Sequence, residues 1–154
     1  MEFVWTDNSV WRKIYEKCQF KLVDNMLKAE DFIRLKTATG FMDRPLLQVE
    51  EALKNGLFNV SAICDGKVVG MGRLVGDGVM YWYLQEIIVL PEYQGNRIGK
   101  SIVNRLIEYI QSSAIPGTKI EIGLTAVKGK EPFYEKFGFT VITTGMKKWM
   151  EIDA

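Results

Sequence analysis

The chain has 154 residues, 47% hydrophobic and 25% charged, and its 20 basic and 19 acidic side chains leave a net charge of +1. That length suits one domain spanning 1–154 with a core of its own, and the even charge balance argues against nucleic acid as a partner, which calls for a basic excess. There is no histidine and there are two cysteines, Cys18 and Cys64, which excludes Ser-His-Asp and Cys-His catalysis and leaves poor material for a zinc site.

Val10, Trp11, Ile14, Tyr15 and Cys18 share one face of a short N-terminal helix. Gln19 to Val23 reads as a first strand, after which Asp24 or Asn25 is placed to cap a helix running to about Thr37. Asp43 and Pro45 open a second helix in which Leu46, Val49 and Leu53 recur at helical spacing, and Gly56 stops it. A β-meander follows: Leu57 to Cys64, the hairpin turn Asp65-Gly66, Lys67 to Val75, the turn Gly76-Asp77-Gly78, and Val79 to Leu90. Cys64 ends an apolar run, so both cysteines are read as small buried hydrophobes rather than as a disulfide or a nucleophile. Beyond Pro91 comes a glycine-containing loop, then an amphipathic helix with Ile98, Ile102, Leu106 and Ile110 on one stripe, broadened by Val103 and Ile107. Pro116-Gly117 separates it from a strand at Lys119 to Leu124. A short helix from Pro132 to Phe137 is stopped by Gly138, and strands are expected at Phe139 to Thr143 and Met146 to Ile152. The fold class is a mixed α/β sheet, mostly antiparallel, with helices on both faces; only the step through the long helix looks like a parallel βαβ unit. Met1 to Asp7 shows no basic and apolar leader, and no stretch is long enough to span a membrane, so a cytoplasmic protein without a membrane partner is expected.

The loop between the last meander strand and the long helix holds the first chemical signal. Glycines at Gly95 and Gly99 let backbone N–H groups approach a ligand, and the helix N-terminus adds unsatisfied donors and the positive end of a dipole. Gln94, Gly95, Asn96, Arg97, Ile98, Gly99 and Lys100 are thus candidates to bind a pyrophosphate. An ordinary strand–helix turn would use the same glycines. Gly99-Lys100-Ser101 lacks the earlier glycine of a Walker loop, and no Rossmann fingerprint is present.

Glu86 to Ile110 resembles motif A of the GNAT superfamily of acetyl-coenzyme A-dependent N-acetyltransferases. That motif has Arg or Gln, two residues, Gly, one residue, then Gly or Ala, after a valine-rich strand end and a proline. Gln94 matches its first position and Gly99 its last, while Arg97 stands where glycine is usual. Since arginine adopts positive φ at a cost, Arg97 implies a right-handed turn or a reshaped loop. Glu131-Pro132-Phe133-Tyr134-Glu135-Lys136-Phe137-Gly138-Phe139 is similar to a second family segment.

The resemblance implies an acetyl-coenzyme A site, no metal, and a bulged strand that splays from its parallel neighbour. Backbone N–H groups of Ile87, Ile88 and Val89 would then face the cofactor, with Ile88, and next Ile87, holding the thioester carbonyl. Glu86, an acid in an apolar and aromatic strand, is a candidate base for the amine; an ion-paired structural glutamate is the competing reading. Tyr134 would protonate the leaving thiolate. Gly40 to Arg44 and Thr144-Gly145 would bound the acceptor, with Phe41, Met42, Tyr81, Trp82 and Tyr83 as a wall. A small-molecule or peptide amine is the expected partner, and a homodimer is compatible with the family. A non-catalytic coenzyme A sensor, another acyl donor or a hydroxyl acceptor are the alternatives.

Overall fold

The computed structural model describes residues 18–154, so the expected N-terminal helix lies outside the described residues apart from Cys18. Among them one sheet runs in the order β1-β2-β3-β4-β5. Its strands are β1 (Phe20–Asp24), β2 (Phe58–Cys64), β3 (Lys67–Gly76), β4 (Tyr81–Val89) and β5 (Glu121–Leu124). All neighbours pair antiparallel except β4 and β5, which are parallel. The helices are α1 (Ala29–Ala38), α2 (Leu46–Asn55), α3 (Ile98–Ser113) and α4 (Glu131–Glu135). The described residues up to Leu124 form one compact unit and Thr125–Ala154 another.

Two adjacent residues of β3 show how the helices are shared between the sheet faces. A Cβ at Gly72 would lie 2.6 Å from Cγ2 of Ile102 in α3 and 2.9 Å from Cδ1 of Ile87. Arg73, the next residue, donates from Nη1 to the Ala52 carbonyl of α2 at 3.2 Å. Successive strand residues point to opposite faces, so α3 covers one face while α1 and α2 cover the other, as expected. The stripe Ile98, Ile102, Val103, Leu106 and Ile110 of α3 is buried, each side chain contributing about 2 kcal/mol of transfer free energy. Gly72→Ala should overpack this contact, because the methyl Cγ2 sits on a branched, buried side chain. A loss of about 1–3 kcal/mol is expected, read as a lower urea midpoint at unchanged slope.

The turns follow their local chemistry. Asp65 and Gly66 take φ of 49° and 75°, the positive pair that a two-residue hairpin requires. The Asp77 carboxylate accepts from the N–H groups of Val79, Met80 and Tyr81 at 2.8 to 3.0 Å. These backbone bonds, that of Tyr81 foremost, hold its carboxyl below the ordinary aspartate value.

Three expectations are corrected. First, α1 starts at Ala29 with Lys28 at its N-cap. Asn25 instead accepts from Asn59 N–H at 3.1 Å and donates its own N–H to Asn59 O at 2.8 Å, tying the end of β1 to β2. Second, Cys18 and Cys64 form a disulfide. The register sets Phe20 opposite Cys64, which brings the residue two before Phe20 diagonally across, with Cα atoms 6.3 Å apart and within disulfide reach. The apolar setting holds for Cys64, which is 2% exposed. Third, no strand forms over 139–154. Alternation makes a segment competent to pair, but a strand exists only where a second backbone supplies the ladder.

Candidate active site

The chemistry converges on β4. Met71 pairs with Ile88 and Arg73 with Gln85, so Gly72 alone stands opposite Glu86 and Ile87. This is a β-bulge, and Glu86 carries it with φ of 49°. On the other edge the parallel ladder with β5 ends at Leu84 and Leu124, whereas β4 continues to Val89. The bulge and the splay are where the family resemblance set them.

Backbone direction along the splayed stretch is fixed by its far end. Leu90 N–H donates to Val69 O across to β3 at 2.9 Å. By alternation Ile88 N–H also faces β3, and the N–H groups of Ile87 and Val89 face the edge beyond the β5 ladder. The N–H groups open to a ligand at this edge are therefore those of Ile87 and Val89, while that of Ile88 is turned to β3. Gln94 reaches back to this edge, donating from Nε2 to Val89 O at 3.1 Å.

In the loop, Gly95 has φ of 82° and Arg97 has φ of 63°. Arg97 is the N-cap of α3 and takes the left-handed conformation that glycine usually supplies in the motif, so neither a right-handed turn nor a reshaped loop results. An arginine held there costs about 1–2 kcal/mol. Asn96 braces the turn by donating from Nδ2 to Tyr93 O at 3.0 Å. Ser101 N–H is the donor to Arg97 O at 3.0 Å, which leaves the N–H groups of Ile98, Gly99 and Lys100 without an acceptor inside the helix. A row of N–H donors at the end of a 16-residue helix fits the pyrophosphate of coenzyme A. Arg105, one turn further, makes two hydrogen bonds to Asp24, at 3.1 and 2.6 Å, and is held to β1. Gly99→Asp should weaken acetyl-coenzyme A binding at least about tenfold by setting a carboxylate against the phosphates, while the melting temperature holds because acids favour helix N-termini. Calorimetry with a parallel melt checks both halves.

Glu86 is engaged by residues that sequence reasoning did not single out. Its carboxylate accepts from Arg73 Nε at 2.7 Å and lies 3.7 Å from Lys36 Nζ of α1. The three side chains are only 13–14% exposed. Arg73 was visible in principle as the one charge inside the apolar run of β3; Lys36 stands four residues after the buried Phe32. Of the expected acceptor wall, Phe41, Met42 and Tyr81 are exposed and Trp82 is buried. The Trp82 ring meets Tyr109 of α3 edge-on at 6.3 Å, so it belongs to the core.

Tyr134 lies in α4 of the second unit. Its ring meets Phe133 edge-on at 4.9 Å and Phe139 at 6.2 Å, and its carbonyl accepts from Phe137 N–H at 2.9 Å. The helix ends at Glu135, short of the expected Phe137, and Gly138, with φ of 88°, closes the turn after it by donating its N–H to Glu135 O at 3.0 Å. Burial raises the Tyr134 phenol above its ordinary value, so it holds its proton throughout the neutral range. Among the described residues no cluster of metal-ligating side chains occurs, and no helix is long and apolar enough to cross a membrane.

A bulged strand, a splayed parallel partner and a donor-lined helix start define the class of fold that the resemblance implies. Residues 57–141 match the family model of the acetyltransferase (GNAT) domain, and the chain belongs to the GNAT superfamily of N-acetyltransferases. It is 27% identical over 143 residues to the uncharacterized N-acetyltransferase ycf52 of Pyropia yezoensis, covering 88% of this chain and 80% of that one. A probable acetyltransferase from meticillin-resistant Staphylococcus aureus superposes with a TM-score of 0.78 at 26% identity, covering 87% of this chain and all of the other. An aminoglycoside N-acetyltransferase in complex with coenzyme A shares the fold alone, with a TM-score of 0.64 at 14% identity over 90% of this chain and 99% of its own.

Proposed function

We propose that this protein transfers an acetyl group from acetyl-coenzyme A to a primary amine of a small molecule or peptide, in the cytoplasm. The observation that carries the reading is the shape of β4. One strand presents a bulge, an edge freed from β5 after Leu84, and a direct lead into the donor-lined start of α3. Bound acetyl-coenzyme A supplies the acyl group as a thioester. The N–H groups at Gly95 to Lys100 hold its phosphates, and those of Ile87 and Val89 polarise the carbonyl.

Glu86, oriented by Arg73 and Lys36, takes the proton that the amine loses, directly or through water. As the C–N bond forms and the C–S bond breaks, Tyr134 gives its proton to the departing sulfur. Its raised pKa keeps that proton available at neutral pH.

The test is calorimetric titration with acetyl-coenzyme A, followed by thiol release against a panel of amines. Binding with release supports the transferase. Binding without release from any amine or alcohol would favour a sensor, and absence of binding would overturn the loop assignment.

A further inference from the structure

Among the described residues the charge around Glu86 does not close. One carboxylate lies between two cations, Arg73 and Lys36, in a corner where all three side chains are 13–14% exposed. Arg73 is engaged on two sides: its Nε donates to Glu86 and its Nη1 to the Ala52 carbonyl. Lys36 has no such hydrogen bond among the described residues. Its ammonium stands 3.7 Å from Glu86 Oε1, beyond hydrogen-bond length, and otherwise rests 5.5 Å from the Phe32 ring centre and 5.9 Å from that of Phe41. Among the described residues it thus brings a surplus positive charge with unused donors to the carboxylate proposed to receive the amine. A sheltered charge of this kind favours a ligand that neutralises it.

We propose that Lys36 is a specificity-determining residue and that the acceptor is an amine bearing a carboxylate close to its nitrogen, as in an amino acid. This rests on the reading of Glu86 as the group facing the amine. Lys36 and Glu86 present a positive and a negative group side by side. An amino acid presents the opposite pair at similar spacing, so its nitrogen meets Glu86 as its carboxylate meets Lys36. Phe41, 41% exposed beside Lys36, offers an apolar ring to the remainder of such a ligand. A polyamine would instead bring a second cation toward Lys36 and be repelled.

Phenylalanine and phenethylamine differ only by the carboxylate, and their binding to the wild type, Lys36→Met and Lys36→Arg is measured by calorimetry in the presence of coenzyme A. Methionine keeps the length of the stem without the charge, and arginine restores the charge. The wild type should bind phenylalanine at least about tenfold more tightly than phenethylamine. That ratio should fall to near one in Lys36→Met and recover in Lys36→Arg. A wild-type ratio of one or less, the same ratio in Lys36→Met, or no binding of either ligand overturns the inference. Thiol release is scored separately with acetyl-coenzyme A: a ratio that behaves as expected without turnover would remove the transferase reading and leave the anion-reading role of Lys36.

Discussion

Tyr134→Phe is expected to lower turnover by roughly 10²–10⁴-fold while acetyl-coenzyme A binds with nearly its wild-type affinity. The substitution deletes only the hydroxyl. The ring contacts to Phe133 and Phe139 remain, so the helix that holds the residue is undisturbed. Because burial lifts the phenol above its ordinary value of about 10, wild-type turnover should show no alkaline limb from this group below that pH. The stability consequence has a definite sign. Burial penalises the phenolate in the folded state, so Tyr134 leaves stability unchanged below the unfolded value and lowers it as pH rises beyond. Phenylalanine at 134 should flatten that alkaline loss. Single-turnover thiol release beside calorimetry separates the steps, and normal turnover with weakened binding would contradict the acid role.

Glu86→Gln carries the second large effect, and it acts on stability as well as on rate. Glutamine keeps the size of the side chain but leaves Arg73 and Lys36 facing each other without the carboxylate between them. Breaking an enclosed ion pair by removing one partner costs about 3 kcal/mol or more. For a chain of this length that corresponds to a melting temperature lower by roughly 6–12 °C. Turnover should drop about 10²-fold and its dependence on pH should change. The two readings of Glu86 separate cleanly in this variant. A lower melting temperature with an unchanged pH–rate profile would make Glu86 a structural partner of Arg73 and would place the base elsewhere.

Much of the fold was legible because its signals are local. The 3.6-residue recurrence of Ile98, Ile102, Leu106 and Ile110 predicts a helix with the apolar face that α3 buries. Asp65-Gly66 predicts a tight hairpin because both positions need positive φ, and both have it. The loop from Gln94 to Gly99 was readable as a row of backbone donors, since glycine and a helix start set that property within a few residues. Tyr134 was nominated by the resemblance of its segment to the family's, and Glu86 by that resemblance and by being an acid in an apolar strand.

What stayed hidden depends on register and on contacts between distant segments. The disulfide required knowing that β1 lies against β2 with Phe20 opposite Cys64; on sequence alone both cysteines are apolar-patch residues. A strand at 139–152 needed a partner backbone, which alternation does not supply. The Leu90 N–H bond to Val69 O fixed, by alternation along β4, that Ile87 and Val89, rather than Ile88, turn their N–H groups to the open edge. Arg73, Lys36 and Glu86 are 13 and 50 residues apart in the chain and meet only because α1 crosses the face of the sheet opposite α3. The sequence by itself determined the helices, the five strands up to Leu124, their order and the phosphate-type loop, because periodicity and turn chemistry act over a few residues. The tertiary structure decided the charge around Glu86, and with it which acceptor the site can favour, because only packing brings the two cations to the carboxylate.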